Sequence, residues 1–557
     1  MKRYILTIMT IAGSVCFTSC EEDYIALTNP GSSEDIQSYS DYKIDWVAAA
    51  DSCSAAFVER FYCSESRNGA EGVFSYYDYN SRGDNSSNYW QQAHAMAVMV
   101  DYYNRIRTTD PDKAAEIERY FLCWYEKKGN NWERNQEYRG AYGFGNNYTD
   151  DSCWIIIALL QMYDATGTSL YYEAAKRTWD ECVSPRFSEN PYGYLPWKKS
   201  DQRALSCTNG PGSIAASLLA GYAKEAGDTT AYESYLEMAC KCFDQNIDAL
   251  RSDGTLCTET EHDKTPLSYT QGTCMEAGRL IWKLTGELGY LGKAILAARG
   301  QMKSGDMNAE YKGQKVMRDE GADENNSIFK AVFFHWAARM IADTDIDSFD
   351  PRIREELYDY VNRHASYYWT IGIEKEEGRW ENSYFSTVCY QPRSVSSGGS
   401  LGAYTSAAQA IETMCLVRKT KFSDRTESEL RQNSTDSMKP VRLYLPRMNC
   451  PIAVSHGREI GFEWETCKNG NVIYQVVFDT LDGDFSNPIF IQASDASGIK
   501  PKATLTSKIC DAIALAAGAQ PGQEVEVKWT VRTFKGLEPT LGVDAGDQYR
   551  TLKIQRP

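Results

Sequence analysis

The chain has 557 residues, 42% hydrophobic and 24% charged, which is more than one domain's length and enough apolar content for a large buried core. Its net charge of −17 works against phosphate backbones and anionic membrane surfaces as partners, leaving neutral or cationic ligands open. With five His and no His/Cys cluster, a zinc site is not expected, and no motif calls for a cofactor. The 37 Tyr and 13 Trp join flat apolar faces to polar edges, which suits stacking on sugar rings, although core packing claims most of them.

Residues 1–20 read as a leader: Met1-Lys2-Arg3 is basic, Tyr4 to Val15 is a short apolar core, and Phe17-Thr18-Ser19-Cys20 closes it. Small residues before Cys20 resemble a bacterial lipoprotein box, which makes Cys20 the expected lipidation site. Glu21-Glu22-Asp23 resembles the surface-export tag of Bacteroidota lipoproteins. The expected location is therefore the outer membrane, exposed at the cell surface and held only by the lipid. Residues 21–42 are polar and Ser-rich, a tether. Beyond the leader the cysteines, such as Cys153, Cys240, Cys242 and Cys415, are scattered within helical patterns as small apolar residues, without a disulfide framework.

From Trp46 the periodicity is helical, and over 43–420 it repeats. Apolar helices open near Trp90, Asp151, Gly210, Gly272, Phe329 and Gly402, about sixty residues apart until the last step. Second helices between them begin with a Gly turn and a Tyr, as in Gly167 to Tyr171, Gly227 to Tyr232 and Gly286 to Tyr290. Six helical hairpins without strand alternation between them predict an all-α (α/α)6 barrel. In such a barrel the inner helices run one way and open at one mouth. The segments that precede them bring Trp90, Gln92 and His94, then Asp150-Asp151, Asn209, Gln271, and Phe329-Lys330 to that mouth. Tyr142 and Tyr148 stand in the aromatic loop that leads into Asp150, with Tyr192 to Trp197, Trp380 and Tyr384 as further contributors.

Asp150-Asp151 has two readings. An aspartate before an apolar helix is a good N-cap, since its oxygen accepts an orphan backbone N–H. Paired carboxylates at a helix N-terminus are also suited to glycosidic chemistry. Like charges raise one pKa, and the helix end stabilises whichever group stays ionised.

After a polar linker at 421–438 the period changes to two. Val441 to Leu445, Ile460 to Glu465, Val472 to Phe478 and Val525 to Val531 predict strands of a small β-sandwich over 439–557, with a helix at Ile509 to Ala517. Asp479, Asp482 and Asp484 read as an acidic turn rather than a calcium loop.

Over roughly 45–420 the chain resembles glycoside hydrolase family 76, the endo-α-1,6-mannanases. The resemblance rests on Trp90-Gln91-Gln92-Ala93-His94, Asp150-Asp151 with Trp154, Thr208-Asn209-Gly210-Pro211, Tyr269-Thr270-Gln271-Gly272-Thr273 and Phe329-Lys330. It implies retaining endo-hydrolysis of α-1,6-linked mannan without a metal, with Asp150 as nucleophile and Asp151 as acid/base. The other residues named at the mouth would bind the glycan. Phe478-Asp479, Asp484 to Pro488 and Lys528 to Val531 resemble the immunoglobulin-like modules of starch-utilisation outer-membrane lipoproteins, so other polysaccharide-utilisation proteins are further expected partners. The competing readings are another (α/α)6 glycosidase and a non-catalytic glycan-binding protein on the same scaffold.

Overall fold

A computed structural model describes residues 44–64, 71–76, 89–131, 143–189, 193–251, 253–258, 265–350, 352–376, 379–391, 400–422, 440–453, 459–467, 472–495, 500–534, 540–544 and 547–556. The expected leader, Cys20, the tether and most of the linker lie outside these residues.

Among the described residues, the first region has twelve helices of ten residues or more, α1–α12: Trp46–Phe61, Tyr89–Ile106, Pro111–Asn131, Thr149–Thr166, Ser169–Thr178, Ser206–Glu225, Thr229–Ile247, Ser268–Thr285, Leu288–Lys303, Phe329–Ala342, Ile353–Tyr367 and Leu401–Val417. α5 continues through a π turn, Trp179–Val183, into a short helix, Ser184–Glu189. Local chemistry sets several ends. Asp45 caps α1 by accepting from the Val47 and Ala48 N–H groups, and Asp228 caps α7 by accepting from Ala231. Gly167 and Gly286 end α4 and α8 at φ 71° and 76°, left-handed angles that suit glycine. These are the Gly turns of the sequence repeat.

The even-numbered helices α2 to α12 pack each on the next, and α12 closes on α2, so they form an inner ring. Each of α2 to α10 is followed by a helix that turns back and packs on it, while α1 packs on α12. The result is an α/α-type layered ring. Inner helices are apolar nearly all round: Ile155, Ile156, Leu159 and Leu160 of α4 are fully buried. At the mouth they approach closely through small residues. A Cβ on Gly272 of α8 would stand 2.8 Å from the Phe333 Cα of α10, and one on Gly210 of α6 would stand 2.5 Å from Thr273 Oγ1 of α8.

The expectation of no strands between the helical hairpins is corrected by two short β-hairpins. β1 (Asn308–Tyr311) pairs antiparallel with β2 (Gln314–Met317), and β3 (Ile373–Glu376) with β4 (Arg379–Phe385). β1, β2 and β3 have four residues each, too few for alternation to stand out. The turn at Lys312 and Gly313, with φ 48° and 71°, is what closes the first.

The C-terminal region is strand-rich. β5 (Leu443–Leu445), β7 (Glu459–Trp464) and β10 (Lys502–Thr506) make a three-stranded sheet in the order β10-β7-β5. A second sheet runs β6 (Cys450–Ala453), β13 (Arg550–Gln555), β11 (Glu524–Phe534), β8 (Ile473–Asp479), β9 (Phe490–Ala493), with β12 (Thr540–Leu541) beside β11. Phe462 of the first sheet packs edge-on against Phe478 and Trp529 of the second, at 5.6 and 4.8 Å between ring centres. The predicted helix is present as α13 (Ser507–Ala516). In the acidic turn, Asp479 accepts from the Thr480 and Phe485 N–H groups and Asp484 from Ser486, so these two carboxylates hold the turn itself.

Candidate active site

The two aspartates are not caps. The residue before α4 is Tyr148, extended at φ −84° and ψ 128°, and its side chain makes no cap hydrogen bond. Asp150 and Asp151 are instead the second and third residues of the first turn, where the partial positive charge of the helix end favours anions. Both are half-buried. Asp150 Oδ1 accepts from the Asp151 N–H at 3.0 Å, and Oδ2 accepts from the Trp197 indole Nε1–H at 3.2 Å. The Cys207 thiol, from the first turn of α6, is a third donor to this carboxylate. Burial pushes the Asp150 carboxyl up to about 6, and these hydrogen bonds work in the opposite direction.

The residues around the pair fix its aim. Arg186 donates to Thr149 Oγ1 at 2.9 Å and to the Asn146 and Asn147 carbonyls. The Asn146 side chain accepts from the Tyr148 N–H at 2.9 Å, and Ser152 Oγ accepts from the Asn146 N–H at 3.1 Å. The segment leading into α6 is tied on from the other side: Thr149 N–H donates to the Trp197 carbonyl at 2.8 Å, and Tyr148 forms a β-bridge with Lys198. Tyr148 and Trp197 rings pack at 5.1 Å, with Lys198 Nζ 5.1 and 4.9 Å from their centres.

Three expected glycan ligands do other work. Gln92, Asn209 and Gln271 are fully buried, each the fourth residue of its helix, and each amide brackets one backbone residue of the preceding loop. Gln92 accepts from the Phe74 N–H at 2.9 Å and donates to its carbonyl at 2.7 Å. Asn209 does the same with Leu195 at 3.0 and 3.0 Å, and Gln271 with Leu256 at 2.9 and 2.8 Å. Lys330 is also buried; its Nζ stands 3.7 Å from Glu320, whose carboxylate accepts from the Ser268 N–H and hydroxyl.

The aromatic expectations converge better. Tyr269 packs on Phe329 at 4.6 Å, Phe329 on Trp90 at 5.7 Å, Trp90 on His94 at 5.3 Å, and His94 on Trp154 at 4.5 Å. This band crosses α8, α10, α2 and α4 and ends one helical turn from Asp150. Trp90 is half-buried and donates from Nε1 to Asn325 Oδ1 at 3.0 Å. Burial pushes the His94 imidazole down to about 3, so it is neutral at ordinary pH, and its Nε2 has no hydrogen-bond partner among the described residues. Tyr142, Tyr192 and the Trp380 side chain lie outside the described residues, while Tyr384 packs against the Arg60 guanidinium, 4.6 Å from its ring centre.

Sequence reasoning placed Trp197 in an aromatic loop without assigning it a role, and passed over Cys207. The available signal was positional: Cys207 is the second residue of α6, as Asp150 is of α4. Among the described residues no group of three or more His, Cys, Asp or Glu is arranged to hold a metal ion, and no helix is long and apolar enough to cross a membrane.

With this geometry in view, the family model of glycosyl hydrolase family 76 matches residues 48–398, and that of the SusE outer membrane protein matches residues 430–532. No curated protein matches the chain in sequence. Among solved structures, an α-1,6-mannanase from Salegentibacter sp. is 22% identical, with a TM-score of 0.54, over 67% of this chain and 100% of that one. A variant of that mannanase with two consecutive aspartates changed to asparagine is described as inactive and is bound to α-1,6-mannotriose, with the same identity, coverage and TM-score. A family 76 mannosidase from Bacteroides thetaiotaomicron is 16% identical, with a TM-score of 0.53, over 68% of this chain and 99% of that one. The family-model match over residues 48–398, more than half of the chain and including Asp150 and Asp151, makes this chain a member of glycosyl hydrolase family 76, a family of glycoside hydrolases.

Proposed function

We propose that the protein is a retaining endo-hydrolase of α-1,6-mannosidic linkages in mannan, with Asp150 as nucleophile and Asp151 as general acid/base. The observation that carries this reading is the hydrogen bonding of Asp150. Both of its oxygens accept from N–H groups that cannot themselves accept, the Trp197 indole and the Asp151 amide. That arrangement favours a carboxylate anion, and a pKa raised only to about 6 leaves the group ionised at neutral pH. Asp151 follows on the same turn. In the reaction Asp150 attacks the anomeric carbon and forms a glycosyl ester while Asp151 gives its proton to the departing oxygen. Asp151 then takes a proton from the water that cleaves the ester.

The surroundings support a glycan substrate. The half-buried Trp90, linked to α4 through His94 and Trp154, and Trp197 with Tyr148 beside Asp150 are aromatic residues suited to sugar faces. An acidic chain suits a neutral polymer better than a uronate polymer. The paired aspartates of the inactive Salegentibacter mannanase variant, and the α-1,6-linked oligosaccharide it holds, are a further support. In this reading the closed ring is an (α/α)6 barrel, the C-terminal region is an immunoglobulin-like spacer, and Cys20 anchors the protein by lipid at the outer-membrane surface.

Digestion of debranched α-1,6-mannan followed by thin-layer chromatography tests the substrate assignment. A ladder of oligosaccharides is expected. Mannose alone would indicate exo-action, and retention of the polymer without products would reduce the protein to a glycan-binding module.

A further inference from the structure

We infer that Trp197 is the positioning residue for Asp150, and that Asn209 acts on the same carboxylate at one remove by holding the segment that carries Trp197. This rests on the assignment of Asp150 as nucleophile and adds to it a residue outside α4. The contacts form a continuous path. Asn209, in α6, brackets Leu195 with hydrogen bonds to both its N–H and its carbonyl. Two residues on, the Trp197 N–H donates to the Arg203 carbonyl, and its own carbonyl accepts from Thr149, the first residue of α4. With its backbone fixed at both groups, the indole delivers Nε1–H to Asp150 Oδ2 at 3.2 Å. A single N–H with fixed direction fixes one carboxylate oxygen. The other oxygen is fixed by the Asp151 amide, so the rotation of the carboxylate is defined from two helical hairpins rather than one.

The titratable and charged groups nearby are Asp151 and Cys153 on α4, Cys207 on α6, Arg186 beside Thr149, and Lys198 and Arg203 over the Trp197 ring at 4.9 and 5.2 Å. The Cys207 thiol also donates to this carboxylate, but a thiol is a weak donor and does not replace the indole N–H, so removal of that N–H has a readable signature.

The test compares Trp197→Phe with a variant in which residue 197 carries the benzothienyl isostere of indole, which keeps the shape and lacks the N–H. A hydrogen bond to a charged group is strong enough that its loss moves the carboxyl by about one unit. Both variants are expected to shift the acid limb of the kcat/KM profile on α-1,6-mannan upward by about one unit. They should lower kcat about tenfold or more and change KM far less. Infrared titration of the Asp150 carboxyl, identified by its absence in Asp150→Asn, reads the same shift without substrate. An unchanged Asp150 titration in the isostere variant overturns the inference. A shifted titration in a protein that cleaves no mannan supports the positioning role and refutes the proposed reaction instead.

Discussion

Asp150 and Asn209 stand in the first turns of neighbouring inner helices, α4 and α6, and are put to opposite uses. Asn209 is sealed from solvent and brackets Leu195, as Gln92 and Gln271 bracket Phe74 and Leu256. Asp150 remains half-exposed and is the group that others hold. The difference follows from register and from chemistry. Fourth-position residues face the preceding loop, where an amide can pair with both an N–H and a carbonyl. An ionised carboxylate can only accept and cannot do that job. Second-position residues include Trp90, Asp150 and Cys207, all half-buried at the mouth. In α4 and α6, a half-buried second position thus stands within the same turn as a fully buried fourth position.

The comparison can be broken most forcefully at the acids. Asp150→Asn and Asp151→Asn should each lower the release of reducing ends from α-1,6-mannan by about 10³-fold or more, with the circular dichroism of the helical ring unchanged. If either retained near-wild-type turnover, the contrast with the bracing amides would lose its meaning.

The next largest effect belongs to the braces, and it is one of stability. Asn209→Leu leaves the N–H and carbonyl of the buried Leu195 without their partner and should cost about 2–4 kcal/mol, read as a lower denaturation midpoint. Its activity should fall with it, because Leu195 leads into Trp197. Gln271→Leu should destabilise to a similar degree while leaving the acid limb of the pH profile in place.

The pH dependence of stability gives a smaller effect with a definite sign. The folded-state pKa of Asp150 is raised from 3.8 to about 6. The stabilisation from protonating it is complete below pH 3.8 and is lost as pH rises through 6. Wild type is therefore penalised at pH 7 in a way that Asp150→Asn is not. The stability of the variant relative to wild type should rise between pH 4 and pH 7.5 by about 1–2 kcal/mol, discounted for partial exposure, as calorimetry at the two pH values would measure. An N-cap role predicts a loss of about 1 kcal/mol instead. As a baseline far from both regions, the exposed Lys176–Asp180 pair on the outer layer should contribute under about 0.5 kcal/mol, so Lys176→Ala should barely move the midpoint.

Much of this was legible in the sequence. The inner helices were readable because they are apolar nearly all round and recur at a nearly fixed interval, and the Gly167 and Gly286 turns marked the ends of two of them. Trp90, His94 and Phe329 were readable as a group because aromatic residues near helix starts converge once the helices form a ring, whereas Trp154 entered only through the family resemblance. The role of the amides was not. Whether Gln92, Asn209 and Gln271 face a ligand or a loop depends on where Phe74, Leu195 and Leu256 return in space, and nothing local to Thr208-Asn209-Gly210 encodes that. The neighbouring Gly210 and Gly272 serve close helix packing. The short strands β1 and β9 were missed because four residues are too few to carry a period.

The central claim, that adjacent aspartates act as nucleophile and acid/base, is tested most directly by following the first turnovers on a reduced α-1,6-manno-oligosaccharide by proton NMR. The account predicts that the new reducing end appears first as the α-anomer and converts to β only by mutarotation. Initial appearance of the β-anomer would mean that water attacks directly, and would contradict a glycosyl ester on Asp150.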